Sequence, residues 1–214
     1  MYIDTSIREY LNQVESGEPI PGGGSVAALV SSLGASLTLM TSNFSFDKEY
    51  FKELDPSIQE KVRQAHRDIK KSIDNFNRFI DEDAEGFASV IIAYDEGKTE
   101  SEMDKKERIQ TSYKKALQTP LKCSRECLKL LKLQDTIVEY GNNQTITDVG
   151  VGVILVYAAL EGSLISVKIN LNYIEDKNYK GEIEDEIGKI YKEASDIKNC
   201  LTKKVDKILR PKDQ

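Results

Sequence analysis

Bare backbone followed by a hydroxyl is the first chemistry this sequence offers. Pro21-Gly22-Gly23-Gly24-Ser25 runs directly into Val26-Ala27-Ala28-Leu29-Val30, a helix-compatible stretch. Three successive glycines are costly to order and add nothing to a core, so they belong where peptide N–H groups must approach something closely. At the start of a helix, free N–H groups and the positive dipole end can hold an anion or a polar ligand, and Ser25 is placed to cap that helix. A second polar cluster, Gly141-Asn142-Asn143 with Thr147-Asp148, stands at the mouth of the most apolar run in the chain. Its members are also ordinary turn residues and dipole partners. A carboxylate partly buried there has a tunable pKa, which suits proton transfer. Asp83 is the third candidate. It follows Ile80 by three residues and precedes Phe87 by four, on the border of an apolar stripe where a charge needs a partner or a purpose. Asp81 and Glu82 beside it read as solvated. Asn170 and Asn172 fall within a helical stretch, where asparagine is poor unless its side chain bonds something specific.

Spacing limits how these groups combine. Asp148 and Asn170 are 22 residues apart, roughly 33 Å along an unbroken helix. They share one site only if the helix breaks, near Gly162, or if each chain of a dimer supplies one of them. Other chemistries find little footing. Gly22-x-Gly24-x-x-Ala27 formally fits a dinucleotide fingerprint, but a capped helix precedes it and no βαβ unit follows. No Lys-Ser/Thr pair follows the glycines, so there is no P-loop. Cys123 and Cys127 are one helical turn apart with no histidine nearby and read as packing residues, and no metal site is expected. The only histidine, His66, lies among charges at the edge of a stripe, so a Ser-His-Asp triad has no support.

The elements that must position these groups are helical throughout. Ser6-Ile7-Arg8-Glu9 is a capping box, with Ile7, Tyr10, Leu11 and Val14 on one face and Gly17 as the stop. The helix after the glycines carries Val26, Leu29, Val30, Leu33, Leu37 and Met40 among small residues that admit close neighbours, as at a subunit interface. Asp55-Pro56 starts a helix whose apolar stripe runs from Ile58 to Ile91 in steps of three or four, predicting roughly 50–60 Å of helix for a long bundle or for dimerisation. Ser101 starts another, kinked or split at Pro120. An apolar helix follows from Val149 to about Tyr173, and a last one carries Ile183 to Ile208 and stops at Arg210-Pro211. Period-2 alternation is essentially absent. The expectation is all-α, a single domain over residues 1–214 with a short tail at 210–214, in a bundle of about six helices.

Composition narrows the partners. Lys and Arg number 30 against 36 Asp and Glu, a net charge of −6, which argues against nucleic acid. Three cysteines in a lysine- and glutamate-rich chain point to a reducing cytoplasm. Residues 1–20 show no basic start with an apolar block, so no signal peptide is expected. The uncharged run Val149–Leu160 reads as a buried helix, too short to span a bilayer.

Taken in order, these segments resemble the formimidoyltetrahydrofolate cyclodeaminase family, which includes stand-alone methenyltetrahydrofolate cyclohydrolases. The resemblance rests on Pro21 through Ala28, Asp81-Glu-Asp-Ala-Glu-Gly-Phe87, Ala116 with Pro120, Gly141-Asn142 with Thr147-Asp148, and Val167 through Leu171. Thr147, Ser166 and Gly86 depart from the family's usual serine, asparagine and alanine. The resemblance implies an all-helical homodimer of one-carbon metabolism that takes a tetrahydrofolate derivative, with or without a polyglutamate tail, and no metal or redox cofactor. It implies proton transfer or cation stabilisation by Asp148 first and Asp83 second. Gly22, Gly23, Gly24, Ser25, Asn142, Thr147 and Asn170 would bind substrate; Lys48, Lys105, Lys106 and Arg108 would meet a glutamate tail or belong to an ordinary solvated charged face. Cyclodeaminase activity stands first and cyclohydrolase activity second. A non-catalytic, ligand-binding helical dimer is the reading from another class.

Overall fold

The fold follows from two small-residue helices that every other long helix packs around. The computed structural model describes residues 1–95 and 101–210; of the expected tail, 211–214 lie outside the described residues. Eight α-helices form among the described residues: α1 Ile7–Glu15, α2 Gly23–Phe46, the single turn α3 Glu49–Lys52, α4 Pro56–Asp95, α5 Glu102–Ala116, α6 Gln118–Tyr140, α7 Ile146–Asn172 and α8 Lys177–Leu209. No strand is present among them. The count exceeds the expected six for two reasons. The helix from Ser101 divides at Leu117, which keeps helical backbone angles (φ −66°, ψ −27°), so Pro120 sits in the first turn of α6, where its missing N–H costs nothing. The other addition is α3.

Helices α2 and α7 lie antiparallel at the centre. Gly34 faces Gly152: a Cβ on either would stand 2.8 Å from the other's carbonyl oxygen. Gly162 lies over Ala27, and the Thr41 hydroxyl donates to the Thr145 carbonyl at 3.2 Å. The start of α2 therefore sits at the end of α7, and the reverse. Helix α4, 40 residues long and about 60 Å, flanks α2 and matches the length its stripe predicts. Its buried Val62, Ala65, Ile69, Phe76 and Ile80 join Leu121, Leu130, Leu131, Val153, Leu160 and Leu201 in one core. Cys123 and Cys127 are buried there as expected, with the Ser31 hydroxyl 3.1 Å from the Cys127 sulfur.

Three local expectations change. The α1 capping box forms, Ser6 and Glu9 exchanging hydrogen bonds at 2.9 and 3.2 Å, but only Tyr10 of its apolar residues is buried; Ile7, Leu11 and Val14 face outward. Helix α2 begins at Gly23 with Gly22 as its cap, so Ser25 is inside the first turn and is not the capping residue. Asp81 is buried, with one oxygen accepting the Tyr2 N–H. Residues 2–4, folded as a short turn on α4, cover the position that the sequence reads as solvated.

Candidate active site

Asp83 and the glycine loop meet. Asp83 projects from α4 at the start of α2, and its carboxylate accepts the backbone N–H of Ser25. Gly24 lies against that carboxylate: a Cβ built on it would fall inside the group. The glycine at 24 is thus a requirement of space. The Ser25 side chain turns the other way and shares a 2.9 Å hydrogen bond with the Tyr10 hydroxyl, which ties α1 to the floor of the site. Burial pushes the Asp83 carboxyl up to about 6, against the lowering effect of the Ser25 N–H. An acid tuned there exchanges protons near neutral pH.

A hollow of about 350 Å³ opens beside Asp83, lined by Pro19, Ile20, Gly22, Gly23, Phe87, Tyr113, Ala116, Ser166, Ile169, Asn170 and Tyr173. The first-turn N–H groups at its glycine edge lack carbonyl partners within the helix. The Asn170 amide nitrogen donates one hydrogen to the Ser166 carbonyl at 2.9 Å, which leaves its oxygen and its second N–H for a ligand. The hollow combines a carboxylate, peptide donors, an amide oxygen and aromatic walls, the mixture that holds a polar heteroaromatic molecule. Among the described residues, no three His, Cys, Asp or Glu side chains converge as a metal site.

The sequence candidates thus separate into two groups. Gly22, Gly23, Gly24, Ser25, Asp83 and Asn170 come together. Asn142, Thr147 and Asp148 lie at the other end of α2, where the Asn142 N–H donates to Ser45 at 2.9 Å. Gly24 and Ser45 are about 30 Å apart along that helix, and α7 runs unbroken through Gly162. One chain therefore does not place Asp148 beside the glycine loop. Asn142 is employed by the fold: its oxygen accepts the Gln144 N–H at 2.9 Å and its nitrogen points to the Phe44 carbonyl at 3.5 Å. It lines a separate hollow of about 250 Å³ with Lys48 and Tyr50. Lys106 is paired with Glu175 at 2.6 Å, and Arg108 lines a groove on the outer side of α4 and α5.

The sequence does not single out Phe87, Tyr113, Ile169 and Tyr173 as lining the site, whereas it marks Ser166 as a departure from the family's usual asparagine at one corner of it. Phe87 continues the α4 stripe and so reads as core, yet it is 40% exposed. Tyr173 had a usable signal, since it follows Asn170 by one helical turn. Tyr113 had none, because α5 reaches the site only through the fold.

A methenyltetrahydrofolate cyclohydrolase of Methylorubrum extorquens is 29% identical over 191 residues, covering 88% of this chain and 90% of that protein. The formimidoyltransferase-cyclodeaminase of Mus musculus is 27% identical over 194 residues, covering 90% of this chain. This chain spans only 35% of that protein's length. The crystal structure of formiminotetrahydrofolate cyclodeaminase from Thermotoga maritima shares the fold, with a TM-score of 0.79, 22% identity and 96% of each chain covered. The profile of the formiminotransferase-cyclodeaminase family matches residues 6–189, a span that contains α1, the glycine loop, Asp83 and Asn170, and the chain belongs to that family.

Proposed function

We propose that this chain is a folate enzyme acting on the carbon that bridges N5 and N10, as a formimidoyltetrahydrofolate cyclodeaminase. The observation that carries the reading is Asp83, a carboxylate with its pKa raised to about 6 under the N–H groups of a glycine-opened helix. In the reaction, N10 attacks the formimino carbon on N5. The formimino group reacts in its protonated form, N5–CH=NH2+; Asp83 accepts the N10 proton and returns it to that nitrogen, which leaves as ammonia as its C–N bond breaks and the cationic methenyl bridge forms. The carboxylate then stands near the cationic product. Gly22 and Gly23 N–H groups and the Asn170 oxygen orient the pterin.

The second reading, methenyltetrahydrofolate cyclohydrolase, is favoured by the match along 90% of the Methylorubrum protein. There Asp83 takes a proton from water as its oxygen bonds to the methenyl carbon. The C–N5 bond breaks, N5 takes up that proton, the remaining hydroxyl proton passes to solvent as C=O forms, and 10-formyltetrahydrofolate results.

Asp148 enters either reaction from a second copy. The outer faces of α2 and α7 expose Leu33, Val151, Ile154 and Ile165, and the homodimer proposed here packs this surface on itself about a twofold axis across the helices. Because α2 and α7 are antiparallel, such packing brings Asp148 of one protomer toward the glycine loop of the other. The deciding assay gives the purified chain both folates. Ammonia release from the formimino substrate supports the first reading, and loss of methenyl absorbance supports the second. Tight binding of both with no turnover leaves a ligand-binding dimer and ends the enzymatic proposal.

A further inference from the structure

Two tyrosines at the rim of the hollow form a structure that proton transfer at Asp83 does not require. Tyr113 is buried, whereas Tyr173, which caps the end of α7, is 52% exposed. Their rings lie almost parallel, 7° between planes, with centroids 4.7 Å apart. Tyr94 meets the Tyr113 ring edge-on at 6.3 Å. The Tyr173 backbone is fastened as well. Its carbonyl accepts from the Gln110 side chain at 2.9 Å, and that side chain's oxygen accepts the Glu175 N–H at 2.8 Å. A half-exposed ring held flat in this way loses little further freedom when a second ring lies on it. Phe87 and Ile169, 40% and 52% exposed, continue the same apolar rim.

We infer that Tyr173, backed by Tyr113, is a stacking subsite for the aminobenzoyl ring of the substrate, with the glutamate beyond it in solvent. This rests on the folate reading. The pterin edge carries amide and amino groups that need hydrogen-bonding partners, and the glycine N–H groups and Asn170 supply them. The benzenoid ring needs apolar faces, and the Tyr173–Phe87 rim supplies those. In a folate the reacting carbon lies between the two rings, as Asp83 lies between the glycine edge and the rim.

The test is calorimetric binding of p-aminobenzoylglutamate and, separately, of 6-methyltetrahydropterin to the full chain, alongside steady-state kinetics. Tyr173→Leu is expected to weaken p-aminobenzoylglutamate about tenfold and to raise KM for the folate substrate similarly, with kcat held within about twofold. Affinity for the pterin should not change, and Tyr173→Phe should behave as wild type, because the ring and not the hydroxyl makes the contact. Unchanged p-aminobenzoylglutamate affinity in Tyr173→Leu overturns the inference, as does a loss that falls on the pterin or a Tyr173→Phe as impaired as Tyr173→Leu. In each of those cases wild-type turnover leaves the folate reading standing. A wild type that neither binds nor turns over any of these compounds overturns that reading and the subsite with it.

Discussion

Asp83 carries two consequences that pull in opposite directions. Its pKa is raised from 3.8 to about 6, chiefly by burial. Between those values the native chain holds a proton that the unfolded chain has released. Stability therefore falls as pH rises through that window, and the loss persists above it. Asp83→Asn removes the buried charge while keeping an oxygen for the Ser25 N–H. Its melting temperature at pH 8 should exceed that of wild type, with a gain of up to ~2 kcal/mol. Its turnover should fall by about 10²–10⁴-fold. In the wild type, kcat/KM should rise with pH through about 6, since the ionised carboxylate is the proton acceptor. A flat profile across pH 5–7 removes Asp83 from the proton transfer. Gly24→Ala tests the same group from the other side. The new methyl would occupy the carboxylate's place, so activity should drop steeply although alanine is the better helix former; turnover beside a thermal melt checks it.

Helices α2 and α7 show which parts of such a site a sequence can display. Their small residues announce close packing, and the Gly34–Gly152 contact is that packing. Gly34→Ala should cost about 1–3 kcal/mol, because the added carbon meets the Gly152 carbonyl and Val156, and buried backbone cannot give way. Gly188→Ala in α8 meets open space and should stabilise by about 0.5–1 kcal/mol, so paired denaturant titrations separate packing from propensity. Helical periodicity made the long elements legible, α4 above all, because a stripe of 3.6-residue spacing is a property of the chain alone. Asp83 was legible for the same reason, as a charge on the border of a stripe. Asp81 was not, because residues 2–4 cover it from the far end of the sequence. Ile7, Leu11 and Val14 formed a correct helical face whose burial depends on what that helix lies against. The grouping of Asn142 and Asp148 with the glycines failed within one chain because motif order carries no distance, while two antiparallel helices put the motifs at opposite ends.

At the scale of the whole molecule, the unfinished feature is the outer surface of that central pair. By length and composition α2 and α7 could each cross a bilayer, with mean hydropathy of 1.4 and 1.8 over their most apolar windows, and only half of each window is buried. Leu33, Ile154 and Ile165 are 52%, 54% and 66% exposed on them, large apolar side chains of the kind that a contact surface covers. A second copy as its cover predicts that Leu33→Lys with Ile154→Lys yields a monomer by light scattering after gel filtration, while the wild type runs as a dimer. The catalytic consequence can be isolated. Under twofold symmetry each of two sites would take Asp83 from one protomer and Asp148 from the other. Asp83→Asn and Asp148→Asn should each be inactive as homodimers. In a heterodimer of the two, one site carries both substitutions and the other neither. Differently tagged chains, co-expressed and purified through both tags, should then recover about half of wild-type turnover per dimer. Recovery can arise only if the two carboxylates act across the interface. A heterodimer that forms and stays inactive overturns the shared site, because both carboxylates would then be required from one protomer; an active Asp148→Asn homodimer instead places Asp148 outside the chemistry and leaves Asp83 to perform both proton transfers alone.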